Sequence, residues 1–293
     1  MGKIGPSIHK RNLSLMNGIK AKKHLWQNFL KNTRILEMIV GNAPLNETHV
    51  IEVWPGPGDL TAEILKRRPK TLHLIELDQD MIPLLENRFS GSTLEIYHQD
   101  VLHMDVESGD SVGQNTWIEV LIDVTKIYLP SYHVYGNIPY YITSPILHHF
   151  LYDVSLVPDC AIFTMQKEVA DRILARDGSH SVLSLACQLV SHVEKICDIS
   201  PNNFIPAPKV WSTCLRFTTN KVDRNEANNI LSLIKKGFSQ KRKKLITNLS
   251  QNGYDKVVLG LLFEKLWLSE NIRAEELSLD NWVHLHEWLR KGN

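Results

Sequence analysis

Two rhythms of apolar and polar positions run along the chain. His49 to Val53 (HVIEV), Thr71 to Leu77 (TLHLIEL), Leu94 to Tyr97, Tyr132 to Tyr135 and Cys160 to Met165 are short, apolar and bounded by turn residues, as strands are. Between them the period lengthens. Asn32 to Val40 sets Ile35, Leu36 and Ile39 at helical spacing, and Leu60 to Arg68, Met81 to Phe89 and Ser144 to Tyr152 also read as helices. Strands alternating with helices predict an α/β unit, a parallel sheet covered on both faces. After about residue 218 only helices are predicted, over Ala227 to Gly237, Lys241 to Leu249, Lys256 to Leu262 and Asn281 to Lys291. The polar stretch Thr218 to Arg224 marks the change. The expected organisation is a basic flexible arm over 1–20, an α/β domain over 21–218 and a small helical domain over 219–293.

Composition narrows the class. Of 293 residues, 43% are hydrophobic and 22% charged, which suits a folded globular chain rather than a disordered one. No apolar run approaches the roughly 18 residues of a membrane helix. Cys160, Cys187, Cys197 and Cys214 form no CxxC pair, so neither a zinc site nor a disulfide scaffold is expected, and no metal is implied. The first 20 residues lack the apolar core of a signal peptide. The cytoplasm is the expected location.

A net charge of +1 conceals an asymmetry. Residues 1–36 carry eight Lys/Arg and no acid, residues 37–220 carry 12 basic and 23 acidic residues, and residues 221–293 carry 13 and nine. Basic ends around an acidic middle suggest an anionic polymer gripped at both ends. A solvated basic tail explains the charge alone equally well.

The first strand runs into Trp54-Pro55-Gly56-Pro57-Gly58 and then a helix. Such a turn lets backbone approach a nucleotide closely. Glu76 ends the second strand, where a carboxylate can accept from both hydroxyls of a ribose. Asp100 follows the third strand and is placed to bind an adenine amino group. The order of glycine turn, Glu76 and Asp100 fits S-adenosylmethionine better than NAD, because no full GxGxxG is present.

Gly136-Asn137-Ile138-Pro139-Tyr140-Tyr141 closes the fourth strand. It gathers an amide oxygen, a backbone carbonyl and flat rings at one ligand edge. An adenine amino group is poorly nucleophilic because its lone pair is delocalised into the ring. Two acceptors, Asn137 Oδ1 and the Ile138 carbonyl, can hold its N–H bonds and strengthen their grip as the nitrogen becomes tetrahedral. Tyr140 can stack on the base and hold it outside the RNA stack.

KHLWQNFL (23–30), EVWPGPGDLT (52–61), IELD (75–78), QDVL (99–102), GNIPYYIT (136–143), QKEVADRILA (166–175), FIPAPKVWST (204–213), FSQKRKKLITNL (238–249) and IRAEELS (272–278) occur in that order. Together they resemble the small-subunit (16S) ribosomal RNA adenine N6,N6-dimethyltransferase family, from about residue 20 to the C-terminus. The resemblance implies a Rossmann-like S-adenosylmethionine-dependent methyltransferase sheet with a C-terminal helical domain. It implies dimethylation of two adjacent adenosines in a hairpin near the 3′ end of 16S rRNA, in the immature small subunit, by a monomer without a metal.

The same resemblance assigns roles. Gln27, Asn28 and Leu30 would line the cofactor pocket, with Gly56 and Gly58 beneath the methionine part. Glu76 would take the ribose, Asp100 the cofactor adenine, and Asn137 would join cofactor to target. Asn137, Ile138, Pro139 and Tyr140 form the catalytic turn. Tyr140 would stack on one face of the target adenine and Phe204 on the other, with Tyr141 beside them. Lys241, Arg242, Lys243 and Lys244, at the start of a predicted helix, would contact phosphates together with the N-terminal arm.

Two positions depart from the pattern: Trp26 and Trp54 stand where the family usually has glycine. Three outcomes are open at Trp54. The side chain points away with a shifted backbone, or it narrows the pocket, or both indoles fill it and leave a non-catalytic RNA-binding assembly factor. A 23S rRNA adenine methylase is the remaining alternative.

Overall fold

The computed structural model describes residues 27–109, 125–176, 178–220 and 222–291. Trp26 and the predicted arm over 1–20 lie outside them. The chain runs through β1 (Phe29–Leu30), α1 (Thr33–Val40), β2 (His49–Val53), α2 (Asp59–Leu65), β3 (Thr71–Glu76), α3 (Ile82–Arg88) and β4 (Glu95–His98). It continues through β5 (Asp105–Ser108), β6 (Lys126–Leu129), β7 (His133–Asn137), α4 (Thr143–His148), β8 (Cys160–Gln166), α5 (Lys167–Ile173) and α6 (Val182–Val190). It closes with β9 (Ser191–Ile199), β10 (Phe204–Ile205), β11 (Ser212–Thr219), α7 (Arg224–Gly237), α8 (Leu245–Gln251), α9 (Lys256–Lys265) and α10 (Leu279–Lys291).

Seven strands form the central sheet in the order β4-β3-β2-β7-β8-β11-β9. The first five are parallel to their neighbours, as expected from the sequence. The last two differ: β11 runs antiparallel to both β8 and β9. An all-parallel sheet is therefore corrected at this edge. The helix α6 passes into β9 with no loop between them, so no turn signal separates the two. As an edge strand, β9 keeps most of its side chains at least partly exposed.

Strand alternation sorts the core into two faces. Ile51, Val53, Ile75 and Val134 join one cluster, packed under α4, α5 and α6. Val50, Leu72, Leu74 and Tyr135 join the other, under α1, α2 and α3. The first cluster continues without interruption into α7 to α10, through Ile230, Ile234, Leu249 and Trp282. The C-terminal helices are thus mounted on one face of the sheet.

The basic run Lys241–Lys244 forms an exposed turn, and α8 starts only at Leu245. Four adjacent cations are disfavoured at the positive end of a helix, which accounts for the shift from the predicted start. The turn is braced from beneath. Asn248 Nδ2, fully buried, donates to the carbonyls of Gly237 (2.5 Å) and Gln240 (3.1 Å).

At the centre of the sheet, Gly136 is held between β2 and β8. A Cβ there would lie 2.5 Å from Val53 Cγ2 and 3.1 Å from the Val53 carbonyl. Gly136→Ala is expected to destabilise the fold by about 1–3 kcal/mol, the usual range for overpacking. A lowered urea midpoint with an unchanged slope would show it; an unchanged midpoint would refute this account of the glycine.

Candidate active site

The chain leaves β2 toward β3 and β4 on one side, then returns to β7 and β8 on the other. The crevice at the C-terminal ends of β2, β3 and β7 is therefore the topological switch point, where open α/β sheets bind ligands. A narrow cleft lies there, lined by residues 27–29, Trp54, Gly56, Glu76, Leu77 and residues 137–141. The N-terminal strap is brought over it by the antiparallel β1–β10 ladder, Leu30 opposite Phe204. Asn32 strengthens the strap: it caps α1 through the Arg34 and Ile35 amides and donates to Asn203 Oδ1 at 2.8 Å.

Glu76 organises the floor. Its carboxylate is buried and accepts from the Gly56 amide (3.0 Å) and the Asp78 amide (2.7 Å). Burial raises its pKa to about 7 although both amides favour the ionised form. Gly56 has φ +54, and a Cβ there would come within 2.7 Å of the Phe29 ring. Gly58 has φ +83 and packs against Phe89 below the turn rather than in the cleft.

At the opposite edge, Asn137 Nδ2 donates to the Asn28 carbonyl at 2.7 Å. That bond fixes the amide and leaves its Oδ1 as an acceptor. The Ile138 amide donates to the Thr164 carbonyl at 3.0 Å, pinning the strand end to β8. Tyr140 is held through its hydroxyl, 2.8 Å from Ser212 Oγ at the start of β11. Tyr141 is 53% exposed at the rim. Its hydroxyl pKa is raised, first by partial burial and then by the carboxylate of Asp100. Asp100 itself caps a short 3-10 turn through the Leu102 amide at 3.1 Å and stands beside the cleft, outside its lining.

Behind the cleft is a second cavity, bordered by Glu52, Pro55, Pro57, Asp59 and Leu60. Trp54, Phe29 and Asn137 line both spaces. Trp54 keeps a left-handed backbone (φ +52), its amide bound to the Ile75 carbonyl at 3.0 Å. Trp54 borders the cleft. Glu52 is fully buried, and neither carboxyl oxygen has a partner in hydrogen-bond geometry among the described residues. Burial lifts its pKa to about 8, against the opposing effect of the nearby Thr61 hydroxyl.

The structure thus brings together Gln27, Asn28, Gly56, Glu76, Asn137, Ile138, Pro139, Tyr140 and Tyr141. It places others elsewhere. Leu30 lines the second cavity. Phe204 is 3% exposed, packed in the α1–α3 cluster, so its ring is not presented to the cleft as a stacking partner. Lys241 borders a large open groove with Arg172 and Lys235, between α4–α6 and α7. Sequence reasoning missed Phe29, Glu52 and Ser212. Glu52 carried a signal: an acid between Ile51 and Val53 in a strand buried along its whole length.

A family model described as ribosomal RNA adenine dimethylase matches residues 18–291. The ribosomal RNA small subunit methyltransferase A of Prochlorococcus marinus (strain MIT 9215) is 34% identical over 278 residues, covering 91% of this chain and 94% of the relative. A dimethyladenosine transferase from Plasmodium falciparum superposes with a TM-score of 0.68 at 25% identity, covering 90% and 98%. The 23S rRNA methyltransferase ErmE, at TM-score 0.69 and 21% identity, covers 90% and 100% and shares the fold.

The buried carboxyl of Glu52 makes a pH-dependent contribution to stability. Unfolded, it ionises from pH 4.5; folded, it holds its proton to about pH 8. Stability is thus lost as pH rises through that window. Glu52→Gln is expected to melt close to the parent at pH 5 and well above it at pH 8. The gap widens by about 1.4 kcal/mol for every tenfold fall in proton concentration across the window. A melting difference that does not vary with pH would show that Glu52 is not held protonated.

Proposed function

Because the chain belongs to the ribosomal RNA adenine dimethylase family, we propose that it transfers methyl groups from S-adenosylmethionine to N6 of two adjacent adenosines. The target is the 3′-terminal hairpin of 16S rRNA in the immature small ribosomal subunit, and the enzyme acts as a cytoplasmic monomer. The observation that carries this reading is the fixed Asn137 amide, its Nδ2 bound to the Asn28 carbonyl at the edge of the cleft.

The residues present fit the donor. Glu76 keeps lone pairs for ribose hydroxyls beyond its two amide bonds. Gln27 and Leu77 flank the nucleoside space, and Asp100 stands ready at its end for the adenine. When bound, the donor supplies an electrophilic methyl on a sulfonium.

The protein's own work is to hold and polarise the target. Asn137 Oδ1 and the Ile138 carbonyl accept from the exocyclic N–H groups and draw the nitrogen out of conjugation. These bonds strengthen as its charge develops, which lowers the barrier selectively. Pro139 stiffens the turn. Tyr140, oriented by Ser212, offers a flat face to the base. Residues 219–293 form the RNA-binding domain in this proposal. Lys241–Lys244 are exposed beside the groove, so they can pair with phosphates without desolvation cost.

The decisive assay is methyl transfer to small subunits from cells lacking the modification, with the modified nucleotides mapped. Two adjacent N6,N6-dimethyladenosines in the 3′-terminal hairpin are expected; no transfer, or a modified site in 23S rRNA, would overturn the proposal. Asn137→Ala is expected to lower the transfer rate by about 10²–10³-fold. Replacing Lys241, Arg242, Lys243 and Lys244 with alanine is expected to weaken RNA binding and flatten its log–log salt dependence by up to about 3. An unchanged slope in a filter-binding titration would remove these side chains from the interface.

A further inference from the structure

The segment Phe204 to Ser212 carries two aromatic rings with opposite fates. Phe204 is buried in the core, whereas Trp211 is 51% exposed. The ladder between β8 and β11 sets Ser212 opposite Gln166, so Trp211 emerges at the C-terminal end of β8, on the same rim as the turn after β7. Two bonds on consecutive residues fix its place. The Trp211 carbonyl accepts from the Lys167 amide at 2.9 Å, and Ser212 Oγ lies 2.8 Å from the Tyr140 hydroxyl. Phe204 anchors the other end of the segment through the core and the β1–β10 ladder. The exposed indole therefore stands on a backbone held at both ends.

Apolar residues scattered singly over a surface need no explanation, but these are grouped. Tyr141 and Trp211, both exposed, are each one residue from a partner in the Tyr140–Ser212 contact, and the exposed Val210 adjoins Trp211. The rim beyond Tyr140 is thus an apolar, aromatic strip. Trp211 does not line the cleft, so a base seated there is not its partner. Beyond a base drawn into the cleft lies the next nucleotide of the same strand. That nucleotide loses a stacking neighbour, and an exposed indole offers its bared face a replacement. Lys209, exposed two residues earlier, supplies a cation for backbone phosphates.

We propose that Trp211 is a stacking platform for the nucleotide adjoining the adenosine held at Tyr140. Two adjacent adenosines are modified in turn, and the ring gives the one outside the cleft a fixed resting place. The stacking contact is made alike before and during methyl transfer, so Trp211 acts on affinity for the RNA and not on the chemical step. A flat apolar ring is what the role requires, and the contact neutralises no phosphate. This inference rests on the methyltransferase reading above.

The test compares the full chain with its Trp211→Ala and Trp211→Phe variants in methyl transfer to small subunits lacking the modification. Half of the ring already lies in solvent, so both variants are expected to melt with the parent. Trp211→Ala is expected to raise KM about tenfold with kcat within about twofold, and Trp211→Phe to keep most of the parent's affinity. In filter binding, the affinity of Trp211→Ala for protein-free 16S rRNA is expected to fall about as far, with the log–log salt slope unchanged. If Trp211→Ala leaves KM unchanged, if Trp211→Phe loses as much, or if the salt slope flattens, the platform is refuted while the methyltransferase reading stands. A loss seen with whole subunits but not with protein-free rRNA means that the ring meets a protein, which also refutes it. If the parent itself transfers no methyl group to the subunits, the methyltransferase reading fails, and the platform with it.

Discussion

The site depends on one buried carboxylate. Glu76, at the end of β3, accepts from Gly56 in the turn after β2 and from Asp78 in its own following turn. Without that pair of bonds, the left-handed Gly56 would have no reason to bring its backbone to the cleft floor. The arrangement is costly, as the raised pKa of Glu76 shows. It is tolerable because the carboxylate is solvated by backbone amides in place of water. A second tie closes the other side, from Asn137 on β7 to the backbone of Asn28. The two ties join three strand ends and the N-terminal strap into one rigid rim.

In the proposed mechanism that rim holds fixed dipoles at the edge of the cleft, where a base can be positioned and polarised. The chemistry asked of residues 137–140 in the proposed mechanism is positioning and polarisation, for which fixed dipoles suffice. Each is fixed from a different element: Asn137 by the strap, Ile138 by β8, and Tyr140 by Ser212 at the start of β11. The antiparallel edge of the sheet has a consequence for the cleft, because it is β11 that delivers Ser212 to Tyr140. The C-terminal helices share the core on the sheet face opposite the Glu52 cavity, which mounts the basic turn beside the groove rather than over the donor space.

Much of this was legible in the amino-acid pattern. The five parallel strands show as short apolar bursts because both faces of each are covered. The turn residues at 54–58 and 136–141 show because they break those bursts. The antiparallel edge was hidden: α6 runs directly into β9, and β9 lacks a fully buried face. The start of α8 was misplaced because charge repulsion at a helix N-terminus acts against the helical propensity of Lys and Arg. Phe204 illustrates a different limit. An aromatic residue in a recognisable motif can serve the core, and only burial separates that from a place at the ligand. Glu52 was passed over as a strand residue, and its isolation among apolar neighbours emerges only once α1 and α2 are packed on it.

The most direct measurement is a crystal structure of the chain with S-adenosylhomocysteine. The account predicts density for the ribose against Glu76 and for the sulfur near Asn137. Ligand density in the groove beside Lys241, or a cleft whose Glu76 and Asn137 make no contact with a bound ligand, would contradict it.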